Sequence, residues 1–211
     1  MQYRGIGIIS DRGRYITKGL KQTLKYDLII PIRQRSEEEY HSVIKYLIDY
    51  ILDYAVITPD QTISYYSWLL KFRQAYDYYE IWEAKKDGEG CIEGMDYAIM
   101  VVGEQEEECR KQGVSPIFPT FSQNVVLSKG VYEGLGIEAV RYPSPEHMTG
   151  WWITTELYDD NTDSLIIEPY FNVAFKRPDL LKYLALPFGY RTYLMQQEND
   201  IWFDEKVLEN Y

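Results

Sequence analysis

Residues 59–86, PDQTISYYSWLLKFRQAYDYYEIWEAKK, decide how the first half of the chain is read. Tyr65, Leu69, Phe72, Tyr76 and Tyr79 recur at steps of 4, 3, 4 and 3 residues, the spacing of one helix face. Pro59 suits a first helical turn, where its missing amide hydrogen is not needed, and Asp87-Gly88-Glu89-Gly90 breaks the pattern. The spacing therefore predicts a helix running to about Lys86. Trp68, Tyr78 and Trp82 fall off the stripe, so this helix is expected to be apolar on more than one side. Such a helix would be sandwiched in the core, or would pack one face in the fold and offer the other to a partner or a second copy of the chain.

Working outward, Ser36 with Glu39 three residues on forms a capping box, and Glu37 and Glu38 sit where a helix N-terminus favours negative charge. Tyr40, Val43, Ile44, Leu47, Ile48, Ile51 and Leu52 then mark an amphipathic helix of about 18 residues. Before it, residues 6–9 and 28–32 read as short strands, with the polar turn 10–13 between them. Gly5-Ile6-Gly7 lacks the third glycine and the following helix of a nucleotide fingerprint. After residue 86, the apolar run 97–102 reads as a buried strand, and Glu104, Glu106, Glu107 and Glu108 begin an acidic helical turn that ends by Gly113. From Val114 the segments 124–127, 137–142, 151–155, 165–174, 190–195 and 201–203 read as strands, with one short helix at 178–184. The expected class is α+β: a mainly helical N-terminal half with a few strands, then an antiparallel-rich sheet with one short helix. The domains would be 1–113 and 114–211.

Thirty-three acids against 22 bases give a net charge of −11, which disfavours generic binding to nucleic acid. Residues 1–36 hold eight bases and two acids, a net of +6, and the rest hold 14 bases and 31 acids, a net of −17. Twenty-one tyrosines supply contact area at low side-chain entropy cost, as binding surfaces require. No apolar run approaches the roughly 20 residues of a membrane span, and no signal-peptide pattern opens the sequence, so a cytoplasmic protein without membrane partners is expected.

The inventory for catalysis is short. His41 falls on the polar side of the capped helix, and neither it nor His147 stands at metal-ligand spacing from other ligands. Cys91 and Cys109 form no CxxC pair, and no nucleophile elbow or phosphate-binding loop is present. Asp159 with Asp160, and Asp204 with Glu205, read as solvated turn acids. An enzymatic alternative would place His147, with Glu146 or Cys109, in a small-molecule site at the junction of the two halves. A thiolate at Cys109 is disfavoured by its acidic neighbours. No catalytic residue, metal or cofactor is expected.

Three segments carry a resemblance: Pro145-Glu-His-Met-Thr-Gly-Trp-Trp-Ile153, Arg177-Pro-Asp-Leu-Leu-Lys-Tyr-Leu-Ala-Leu-Pro-Phe-Gly-Tyr-Arg191 and Asp200-Ile-Trp-Phe-Asp-Glu205. Residues 114–211 thereby resemble a family of bacterial immunity-protein domains of polymorphic toxin systems. The resemblance implies a protein that binds and blocks a cognate toxin without catalysis of its own. Such a toxin would be basic, as a nuclease is. Within the motif, His147, Gly150, Trp151, Trp152, Arg177, Pro178, Asp179, Pro187, Gly189, Arg191, Trp202 and Asp204 are expected to serve the fold, with Arg177 and Arg191 pairing with Asp179 or Asp204. The expected partner-binding residues are Asp77, Tyr78, Glu80 and Glu83, then Glu104, Glu106, Glu107 and Glu108, then Asp159, Asp160 and Asp163. An acidic surface would speed capture of a basic toxin.

Overall fold

The structure, a computed structural model, describes residues 1–54, 57–195 and 198–209. The chain divides into two compact units, residues 1–100 and 101–211, and the division falls inside a helix.

The first unit is built on a sheet. Its elements are β1 (Gln2–Tyr3), β2 (Ile6–Asp11), β3 (Arg14–Lys18), α1 (Lys21–Leu24), β4 (Asp27–Pro31), α2 (Glu37–Tyr54), β5 (Thr62–Tyr65), β6 (Trp68–Ala75), β7 (Tyr78–Ala84), β8 (Cys91–Glu93) and the start of α3 (Asp96–Lys111). The strands order β1-β2-β3-β4-β7-β6-β5, with β8 paired to β7; β4 and β7 run parallel and the other pairs antiparallel. Helix α2 begins with the expected capping box: Ser36 N donates to Glu39 Oε2 at 2.7 Å and Glu39 N to Ser36 Oγ at 3.3 Å. Of its predicted stripe, Tyr40, Val43, Ile44, Leu47, Ile48 and Ile51 are fully buried and Leu52 is half-buried. Tyr40 meets Tyr15 of β3, and Tyr46 meets Tyr65 of β5, at ring separations of 5.6 and 5.2 Å. His41 lies against Tyr15 as well, at 5.2 Å, and not on a free polar surface.

Residues 59–86 do not form the expected helix. They form β5, β6 and β7, so the first half is not mainly helical, and a self-associating aromatic helix has no element to stand on. The alternation of period two lies inside the sequence: Trp68, Leu70 and Phe72 are buried on β6, and Tyr79, Ile81 and Glu83 on β7. The turns between these strands are made at Tyr66-Ser67 and Tyr76-Asp77, with Tyr66 at φ +49° and Tyr76 at φ +50°. Glycine or asparagine normally marks such positions, and tyrosine there hides the turn. Strand β3 was also missed, and the run 97–102 lies within α3, not in a strand.

The second unit contains β9 (Asn124–Leu127), β10 (Ile137–Arg141), β11 (Met148–Thr154), β12 (Ile166–Pro169), α4 (Tyr170–Lys176), a 3-10 helix (Pro178–Tyr183), β13 (Tyr190–Leu194), β14 (Asn199–Phe203) and α5 (Lys206–Glu209). The sheet order is β12-β9-β11-β10-β13-β14, with β9 and β11 parallel and every other pair antiparallel. The fold is α+β with two mixed sheets. The segment 165–174 is not one strand: Pro169 ends β12 and α4 starts at Tyr170.

One face of this sheet is closed by helices of the same unit. Trp151 Nε1 donates to Leu184 O at 2.8 Å, just after the 3-10 helix, and Gln105 Nε2 of α3 donates to Leu181 O at 2.9 Å within it. Arg141 is buried on this side. Its Nε donates to Thr149 O at 2.9 Å, and NH1 donates to Ile117 O at 2.7 Å, Leu186 O at 2.6 Å and Leu184 O at 3.2 Å. Burial pulls the Arg141 pKa down to about 10, which still leaves a cation at neutral pH.

Candidate functional site

The opposite face of the second sheet is the candidate site. Adjacent residues on a strand point to opposite faces, so Trp151 and Trp152 part company. Trp151 is 1% exposed and Trp152 is 37% exposed. The register then sets a transverse row on the Trp152 side. Trp152 pairs with Val126 of β9 and Val140 of β10; Val126 pairs with Ile167 of β12. On the other flank Val140 pairs with Arg191 of β13, and Arg191 with Trp202 of β14. Ile167 and Trp202 are 66% and 40% exposed. Val126 and Val140 are buried, and the row opens three large apolar side chains to solvent, Ile167 and Trp152 as one apolar band and Trp202 beyond the ion-paired Arg191.

The band runs into a groove of about 510 Å³ whose walls include Trp152, Tyr142, Met148, His147 and Ile167. Tyr142 stands edge-on to Trp152, with ring centroids 5.8 Å apart. Gly150 allows the backbone to bend here. Its φ is +82°, and a Cβ would lie 2.2 Å from the Tyr142 carbonyl oxygen. The β9–β11 register also shifts between Met148 and Trp152, so β11 is irregular where the groove forms. His147 is exposed, and its carbonyl oxygen accepts from Asn124 N at 3.0 Å, fixing the loop to β9.

The motif's ion pairs hold its flanks. Arg177 binds Asp179 through two hydrogen bonds, Nε to Oδ1 at 3.0 Å and NH2 to Oδ2 at 2.8 Å, and gives NH1 to Val131 O at 2.6 Å. Arg191 Nε donates to Asp204 Oδ2 at 2.8 Å, and its NH1 lies 3.6 Å from Glu138. Gly189, at φ +91°, would carry a Cβ 2.4 Å from the Phe203 ring, so a side chain there would push β14 away. Pro178 opens the 3-10 helix at its first turn, and Pro187 accepts from Tyr190 N at 3.3 Å.

The expected partner-binding acids are scattered. Glu83 is 5% exposed, and its carboxylate accepts from Tyr97 N at 3.1 Å and Ala98 N at 2.7 Å. It caps α3 and presents nothing to a partner; burial raises its pKa. Glu108 is likewise buried, with Lys111 at 3.3 Å, and Glu107 pairs with Arg110. Glu104 and Glu106 face solvent on α3. Asp77 is exposed in the β6–β7 turn; Tyr78 lies under the Lys21 ammonium at 5.8 Å, and Glu80 Oε2 accepts from Trp82 Nε1 at 3.0 Å. Asp159, Asp160 and Asp163 are exposed in the loop between β11 and β12, where Asp159 accepts from Asn161 N. The sequence reading puts partner binding on these acids and gives Trp152 and Trp202 to the fold, whereas both tryptophans stand on the exposed face. The alternation through Val140, Trp152 and Trp202 was the signal that would have separated the two faces.

Residues 101–211 hold 18 acids and nine bases, a net of −9, so most of the chain's −11 resides in the unit that bears the band. Residues 104–204 match the family model of the Imm33-like domain. The Imm33-like region is an immunity-protein-like family match covering just under half of the chain, as the C-terminal resemblance implied. It begins at Glu104, so it takes in the acidic half of α3. No match was found among curated proteins or among solved structures. Among the described residues no helix is long and apolar enough to cross a membrane, and no group of three or more His, Cys, Asp and Glu could hold a metal ion.

Cys109, on α3 of the Imm33-like region, is fully buried, and burial pushes its thiol up to about 11. At neutral pH it is a protonated thiol, the form that does not attack. Cys91 is half-buried on β8. A thiol-reactive chromophore is expected to label one cysteine per chain in native buffer and two in strong denaturant. Labelling of Cys109 as fast as Cys91 would restore the thiol-based enzymatic alternative.

Proposed function

We propose that this chain is a cytoplasmic immunity protein that neutralises a cognate toxin by stoichiometric binding, without catalysis. The observation that carries the reading is the Imm33-like match over residues 104–204. The open band supports it: interface cores are built from aromatic and aliphatic side chains with few charges, and Trp152, Trp202 and Ile167 supply these. The acids Glu138 and Glu146, exposed on β10 and in the loop before β11, lie in the same unit. With Asp159, Asp160, Asp163, Glu104 and Glu106 they give it the negative field that would draw in a basic toxin such as a nuclease. Asp77, Tyr78 and Glu80 lie outside the matched residues, so the proposal rests on the second unit.

Co-expression with toxin-like genes encoded beside this one tests the reading in a sensitive host. Rescue of growth by the full chain is expected for one of them, together with a one-to-one complex on purification. Full toxin activity in the presence of excess purified chain would overturn it.

A further inference from the structure

The first unit has no family match, yet it contains a cleft of about 530 Å³ beside the start of α3. Its wall carries four cations, Arg33 and Arg35 from the β4–α2 connection and Lys85 and Lys86 at the end of β7. Three of these are exposed and Arg35 is half-buried. Three acids also line it, but two are engaged elsewhere. Glu83 is hydrogen-bonded to the first amides of α3, and Asp87 Oδ1 accepts from Glu89 N at 2.9 Å in the turn after β7. The helix amides are thus already occupied, and the cations at the mouth are what an anion would meet.

The third acid, Asp96, is divided in use. Its Oδ1 accepts from Tyr40 Oη at 2.7 Å and from Gln34 N at 3.3 Å. Its Oδ2 is buried and has no hydrogen-bond partner among the described residues. A buried carboxylate oxygen without a donor is costly, and such an atom in a cleft wall invites a donor from a ligand. Gly94 packs close beside it: at φ +118° a Cβ there would lie 3.3 Å from Asp96 Oδ2 and 3.7 Å from Arg33 Cζ, so a side chain at this position would crowd both the orphan oxygen and the guanidinium. Apolar surface is present too, from Met100 and from Ile92, which is 45% exposed on β8.

We propose that this cleft binds a nucleoside monophosphate, with its phosphate on the Arg33, Arg35, Lys85 and Lys86 cluster, an N–H or O–H of the nucleoside on Asp96 Oδ2, and the base against Ile92 and Met100. The three demands select together: an anion, a donor some distance from it, and a flat apolar body. Inorganic phosphate meets only the first, and a nucleoside without phosphate meets only the other two. The cleft volume lies within the range of about 300–1,000 Å³ usual for small-ligand sites. The inference is independent of toxin binding, since every residue it uses lies in the first unit.

Calorimetric titration of the full chain with AMP, GMP, CMP and UMP, with inorganic phosphate and adenosine as partial ligands, tests it. One-to-one binding of at least one nucleotide is expected, at least tenfold tighter than phosphate or adenosine. The double variant K85Q/K86Q alters only exposed side chains and is expected to weaken that nucleotide at least tenfold with an unchanged circular dichroism spectrum. Asp96→Asn keeps an oxygen for Tyr40 and is expected to weaken the nucleotide but not phosphate. Binding of none of the four nucleotides would overturn the proposal. So would phosphate binding as tightly as the nucleotide, or an affinity unaffected by K85Q/K86Q.

Discussion

Trp152→Ala is expected to weaken toxin binding by at least thirtyfold while leaving the chain folded. The side chain stands at the centre of the open band, between Val126 and Val140, with Tyr142 edge-on to it. Central aromatic side chains in interfaces cost about 2–4 kcal/mol when truncated, because they lose a desolvated pocket as well as area. The sheet does not depend on this ring as it does on Trp151, whose indole N–H is bonded to Leu184 O on the helix-covered face. A shift of a few degrees in the melting temperature is expected, against loss of rescue in co-expression. Trp202→Ala, farther along the band, should act in the same direction and less strongly. A Trp152→Ala chain that binds toxin with native affinity would move the contact away from this face.

Arg141→Met is expected to unfold the second unit. Arginine is rarely buried without a carboxylate, and here four backbone carbonyls receive its N–H groups instead. These carbonyls belong to Ile117, Thr149, Leu184 and Leu186, segments that no sheet ladder ties together. Methionine has similar length and no donor, so the carbonyls would lose theirs, at about 1–3 kcal/mol for each left unsatisfied, with Leu184 O keeping Trp151 Nε1. Against a total stability of about 5–15 kcal/mol the loss is severe. Thermal melts followed by near-ultraviolet circular dichroism check it. Arg141→Lys should rescue only part of the loss, because one ammonium cannot reach both Thr149 and the loop carbonyls with a planar fork. A Met variant as stable as the parent would show that the guanidinium is tolerated, not required.

The two expectations separate residues that the sequence grouped. Trp151 and Trp152 stand together in the motif, and Arg141 lies just ahead of it with no feature to set it apart. A strand's two-residue period assigns the tryptophans to opposite faces once β11 is recognised as a strand. What the sequence could not supply was which face the helices cover, since that depends on α3, α4 and the 3-10 helix arriving from distant parts of the chain.

Legibility followed local signals. The capping box at Ser36 and Glu39 and the stripe from Tyr40 to Ile51 were legible because the helix pattern and its cap agree. Strand β9 has the bounds that its sequence predicts, and of the pairings open to Arg177 and Arg191 with Asp179 or Asp204 the structure forms Arg177–Asp179 and Arg191–Asp204. The segment 59–86 misled because aromatic residues are dense there, so helical steps of three and four can be drawn through a hairpin whose turns carry tyrosine. The apolar run 97–102 is as consistent with a buried helix as with a strand, and its length does not decide. Glu83 and Glu108 looked like surface acids because burial of a carboxylate requires donors that only the fold brings: two helix amides for one, Lys111 for the other.

The most direct test of the central claim is the affinity of the purified full chain for any toxin-like protein that it rescues in co-expression, measured by calorimetry with the wild type and Trp152→Ala. The account predicts one-to-one binding in the nanomolar range, loss of toxin activity at equimolar ratio, and a large affinity drop for the variant. A toxin that stays active and shows no heat of binding with the wild-type chain would contradict it.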